Sequence, residues 1–178
     1  VTIYPFVFMD VPVDNALADP YGGPRQAAYP WRGRVKGRDG AEAAGDVAAI
    51  FGAADGWGLR RLARHYAALA ADTGADGLLI GSEMRGLTWT RDADGGFPAV
   101  AAFRALAAEC RAIAGPVVKL SYAADWSEYF GRQDGTDAVF HLDTLWADAN
   151  IDYVGVDWYP PLTDWRDGDG GLDAADFA

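Results

Sequence analysis

Gly77-Leu78-Leu79-Ile80-Gly81-Ser82-Glu83 is the stretch on which the reading of this chain turns. Its apolar run is too short for a helix and shows no alternation, so it reads as a strand covered on both faces, as in a parallel sheet. It ends in a carboxylate. On its N-terminal side Leu59, Leu62, Tyr66 and Leu69 recur at helical spacing, and Gly74 can close that helix in a left-handed cap. The opposite face of this helix, with Arg60, Arg61, Arg64 and His65, is expected to be solvated. On the C-terminal side Pro98 opens a helix with Val100, Phe103, Leu106, Cys110 and Ile113 on one stripe, closed by Gly115-Pro116. Further strands are predicted over Val1–Met9, Val117–Tyr122 and Ile151–Val156, with helices over 41–54 and from His141 to Ala147. Residues 11–40, rich in Pro, Gly and Arg, form a long loop of the kind that carries function.

Strands alternating with helices call for a parallel sheet with right-handed crossovers. The predicted fold is α/β, a single domain over residues 1–178 made of four consecutive βα units of a parallel (β/α)8 TIM-type barrel. An open α/β sheet is the competitor. A complete barrel needs roughly 250 residues, so 178 residues are expected to be a partial segment.

The net charge of −11 would repel a phosphate backbone and an anionic membrane, and nucleic acid is not an expected partner. No run approaches the ~18 apolar residues of a membrane span, so no membrane insertion is expected. Cys110 is the single cysteine, which rules out an intrachain disulfide. Its place on an apolar stripe reads as packing. His65 and His141 lie too far apart in sequence for a zinc motif, and no nucleotide fingerprint is present, so neither metal nor cofactor is expected. The acidic segment Asp164–Asp176 lacks the order of an EF-hand loop.

Parallel βα units set their working groups at the C-terminal ends of strands. Each predicted strand here ends in or near a carboxylate: Asp10, Glu83, Asp125 with Glu128, and Asp157. Carboxylates converging on one rim raise at least one pKa, which suits a general acid. Aromatic residues accompany three of the four ends: Trp89, then Tyr122 and Trp126, then Trp158 and Tyr159. Aromatic faces stack on the C–H faces of sugars while carboxyl groups handle hydroxyls and glycosidic oxygens. The same residue types also cap helices and line pockets, and for any one of them that reading stays open. Arg32 and Arg34 can pair with these acids from the long loop.

The stretches Gly81–Thr88 (GSEMRGLT), Tyr122–Phe130 (YAADWSEYF), Phe140–Asp143, Asp152–Asp157 and Asp164–Gly168, with Pro30–Arg34 (PWRGR), resemble the barrel-like domain of gene transfer agent and phage tail-tip host-specificity proteins. The resemblance implies a glycoside-hydrolase-like barrel at the tip of a phage-like tail, assembled in the bacterial cytoplasm and extracellular after release. Its expected partners are cell-wall or surface polysaccharide and other tail-tip proteins. In the wider retaining-glycosidase clan an acid/base Glu follows strand four and a nucleophile Glu follows strand seven. Glu83 matches the first position, which makes the strands seen here about numbers three to six and puts the nucleophile beyond Ala178. Ser82 stands where the clan has Asn. The resemblance thus implies Glu83 as the proton-transfer group, with Asp10, Trp89, Tyr122, Asp125, Trp126, Glu128, Asp157, Trp158 and Tyr159 as candidate sugar contacts. Whether the site cleaves glycan or only binds it stays open.

Overall fold

The computed structural model describes residues 1–160. Four parallel strands form one sheet in the order in which they occur along the chain: β1 (Thr2–Ile3), β2 (Gly77–Ser82), β3 (Lys119–Asp125) and β6 (Gly155–Asp157). Between them run α1 (Ala43–Phe51), α2 (Leu59–Thr73), the single turn α3 (Arg85–Thr88), α4 (Pro98–Ala114), and the short α5 (Trp126–Tyr129) and α6 (Asp143–Trp146). Neighbouring strands in the sheet follow one another along the chain, without the reversal that marks a doubly wound sheet. The sheet is also curled. Tyr4, just past β1, donates its hydroxyl proton to Asp157 at the far end of β6. In a flat sheet those strands would stand about 14 Å apart, beyond the reach of one tyrosine and one aspartate. An α/β fold with a curled parallel sheet is consistent with a TIM-barrel-like domain, although the described strands do not close.

Alternation along the strands gives the sheet two buried faces. Leu78, Ile80, Leu120, Tyr122 and Ala124 face the helices and join one core with Val100, Phe103, Leu106 and Cys110 of α4. Phe103 packs edge-on against Phe51 of α1 and tilted against Tyr122, both at 4.9 Å between ring centres. Cys110 is fully buried there, as its place on the stripe predicted. Gly81 is required by this packing, because a Cβ there would lie 2.8 Å from the Phe103 ring.

The structure shifts several predicted elements. The first strand is paired only over Thr2–Ile3, because Pro5 has no N–H for the ladder. The chain stays extended, with Tyr4, Phe6 and Phe8 stacked on one side. Helix α2 turns Ala63, Ala67 and Ala70 inward, while Leu69 is exposed. Small residues on that face let α2 lie close against α4. Arg60 and Arg64 are not merely solvated: both pair with Glu109 of α4. An antiparallel hairpin, β4 (Arg132–Asp134) and β5 (Asp137–Val139), was not foreseen, although Asp134-Gly135 is a turn signal and Gly135 has φ 65°.

Candidate functional site

Glu83 follows β2 and is the one non-glycine residue with a positive φ (48°) among the described residues. Such a backbone costs about 1–3 kcal/mol and persists only where its surroundings over-determine it. Here its N–H donates to the Ala123 carbonyl at 2.8 Å, and the next N–H, of Met84, donates to the Tyr122 hydroxyl at 2.8 Å. The turn aims the side chain at three groups. Trp31 Nε1 donates to Glu83 Oε2 at 2.9 Å, Arg32 Nη2 lies 3.3 Å from the same oxygen, and the Tyr159 hydroxyl is 3.5 Å from Oε1. Burial pushes the Glu83 carboxyl above the usual glutamate range; Arg32 opposes the rise, and a hydrogen bond with Asp157 adds to it.

Arg32 belongs to a short 3-10 turn (Arg32–Arg34) of the long loop and is buried. Its Nε donates to the Ser82 carbonyl at 2.8 Å and to the Ser82 hydroxyl at 2.7 Å. Its guanidinium stands 4.7 Å from the Phe6 ring centre, and Nη2 is 4.0 Å from Asp157. Pairing with the rim acids therefore holds for Arg32. Arg34 instead donates to the Ala27 and Tyr29 carbonyls and stacks on the Tyr29 ring.

A cleft of about 460 Å³ opens over Glu83, lined by Phe8, Tyr29, Trp31, Arg32, Asp125 and Tyr159. Of the sequence-predicted residues, Glu83, Asp125 and Tyr159 line this cleft, and Asp157 stands beside it on the Arg32 guanidinium. Asp125 ends β3 and caps α5 by accepting from the Ser127 N–H at 2.9 Å. Asp10 lies well past the end of β1 and is exposed, because the paired strand stops at Ile3 rather than Met9. Trp126 and Trp158 form an exposed cluster with Phe130, ring centres 6.0–6.3 Å apart, outside the cleft lining. Trp89 packs over the Arg85 guanidinium and lines a separate polar recess with Lys36 and Arg132.

Tyr122 and Glu128 are not brought to the cleft; both are fully buried beneath it. Glu128 accepts from Thr88 Oγ1 at 2.6 Å, from the Tyr122 hydroxyl at 2.9 Å and from the Asp125 N–H at 3.1 Å. Burial pushes its carboxyl up to about 7, against those three donors. His141, beside Thr88 at 3.2 Å, is held down to about 4, first by burial.

Sequence reasoning passed over Trp31, Tyr4, Phe8 and Tyr29 as site residues. The alternation of Tyr4, Phe6 and Phe8 and the Trp31-Arg32 pair in a long Gly/Pro-rich loop were the available signals. The acidic segment Asp164–Asp176 lies outside the described residues. No curated protein and no solved structure matches this chain. One protein family does match it: the GTA TIM-barrel-like domain, over residues 57–178, more than half of the sequence.

Proposed function

The chain belongs to the GTA TIM-barrel-like domain family, and from that premise we propose that its cleft acts on glycan, with Glu83 as the group that protonates a glycosidic oxygen. The observation carrying this reading is the placement of Glu83: a buried carboxyl on a strained backbone, its pKa raised by burial, sharing the Arg32 guanidinium with Asp157 in an aromatic-lined cleft. A carboxyl whose pKa burial raises holds its proton more firmly than an ordinary glutamate and can give it to a leaving oxygen. Phe8, Tyr29, Trp31 and Tyr159 offer faces for sugar rings. The setting is the tail tip of a phage-like particle, where a cell-wall or surface polysaccharide is the substrate and other tail proteins are the neighbours.

Asp157 is not the second catalytic carboxylate of this scheme. Both acids face the one Arg32 guanidinium, with Nη2 3.3 Å from Glu83 and 4.0 Å from Asp157, so Asp157 serves that cation rather than a water or a sugar carbon across a cleft. Asp157 instead accepts from the Tyr4 hydroxyl and shares the Arg32 guanidinium with Glu83. The same pairing favours a second reading, a module that binds glycan without cleaving it.

Replacing Glu83→Gln in the full-length protein separates the two. For an enzyme, cleavage of isolated wall glycan falls at least about 100-fold while binding persists. Binding without any cleavage by the unsubstituted protein supports the module, and absence of both sinks the glycan reading.

A further inference from the structure

The geometry points to Tyr122 and Glu128 as positioning residues that set where Glu83 and Asp125 stand relative to each other. Glu83 departs from ordinary backbone, and a positive φ at a glutamate persists only where its surroundings over-determine it. The Glu83 N–H goes to the Ala123 carbonyl of the neighbouring strand. The Met84 N–H goes to a side chain, the Tyr122 hydroxyl, at 2.8 Å. Because that oxygen accepts from Met84, its own proton is turned toward Glu128 Oε1, 2.9 Å away. The second oxygen of Glu128 accepts the Asp125 N–H at 3.1 Å. One buried carboxyl therefore reaches Glu83 through Tyr122 and Met84 with one oxygen, and holds the backbone of the other cleft-lining acid with its partner oxygen.

A carboxyl used only to cap α5 would need neither of its hydroxyl donors. The reciprocal capping of Asp125 and Glu128 accounts for one of the three hydrogen bonds. Of the other two, one comes from Thr88 in the segment that leaves β2, and the other from Tyr122 of β3, whose hydroxyl also accepts the Met84 N–H of that segment. They join the tips of β2 and β3 below the cleft floor, where no water competes. The inference concerns placement alone and rests on the proposed acid only for its consequence in catalysis.

The test compares Tyr122→Phe, Glu128→Gln and Glu128→Ala in the full chain, reading the Glu83 titration by carboxyl 13C NMR with Glu83→Gln to assign the resonance. The groups facing Glu83 (Arg32, Asp157, Trp31 and Tyr159) are unchanged in all three. Tyr122→Phe fills the same space but frees the Met84 N–H, so Glu83 relaxes toward water and its titration midpoint falls by roughly half a unit or more. Glu128→Ala gives the same shift. Glu128→Gln keeps an oxygen for Tyr122 and restores most of it. An unmoved Glu83 titration in Tyr122→Phe, with near-UV circular dichroism showing native packing, overturns the inference even if Glu128→Ala does not fold. A shifted titration in a protein that cleaves no glycan leaves the positioning intact and removes the proposed activity instead.

Discussion

Glu83 and Glu128 begin from one kind of sequence, a carboxylate following a strand by one to three residues, and end in opposite situations. Glu83 has a cation, an indole N–H and a second carboxyl around it, and it faces a cleft. Glu128 has neutral donors only and no opening to solvent. Burial raises both, but only one sits where a raised pKa can be used on a ligand. The contrast teaches that a perturbed carboxyl marks a working group when it also has a path to the outside.

The largest effect that can break this contrast is expected at Arg32. Arg32→Met leaves the Glu83–Asp157 pair buried without its cation and costs about 3–5 kcal/mol, read by urea unfolding at pH 8. The loss shrinks as pH falls, because Glu83, whose pKa burial raises, needs the cation less once it takes up a proton; a pH-independent cost below about 1 kcal/mol would mean that Arg32 does not balance these acids.

The interior pair gives the next effect, and its sign differs for the two residues. Glu128 holds its proton in the folded state up to about 7, while an unfolded glutamate releases it near 4.3. It therefore removes stability as pH rises from about 4.5 to 7, by about 4 kcal/mol at most. His141, held down to about 4, does the reverse and loses stability as pH falls from about 6.5 to 4. His141→Gln should make the stability curve fall more steeply with rising pH across this window, and Glu128→Gln should make it rise. Parallel curves for the two variants would show that neither group titrates as its burial demands.

The smallest effect belongs to Tyr159, exposed and only in long contact with Glu83 at 3.5 Å. Tyr159→Phe should change unfolding free energy by less than about 0.5 kcal/mol. A larger change in a thermal melt would mean that Tyr159 closes on Glu83 as Trp31 does.

Much of the scaffold was legible because its signals are local. The Gly77–Gly81 run, the α4 stripe from Val100 to Cys110 and the glycines that close the helices each act within one turn or one strand. The α2 stripe gave the helix and the core contacts of Leu59 and Tyr66, but not the exposed Leu69 or the inward alanines, because leucines mark an apolar face without saying which part of it lies closest to a neighbour. Asp10 misled for a similar reason. The apolar run through Met9 is real, but pairing ends at Ile3 because Pro5 cannot donate.

By itself the sequence determined the alternation of strands and helices, the parallel sheet and the recurrence of acids at strand ends, since these follow from periodicity, turn residues and composition. Tertiary structure alone decided which acid meets the cleft. The positive φ of Glu83, the reach of Arg32 and Trp31 from a loop some fifty residues earlier, and Tyr4 meeting Asp157 across the curl all depend on contacts between distant segments. Burial and charge pairing are properties of that assembled neighbourhood, and no local window of the chain contains them.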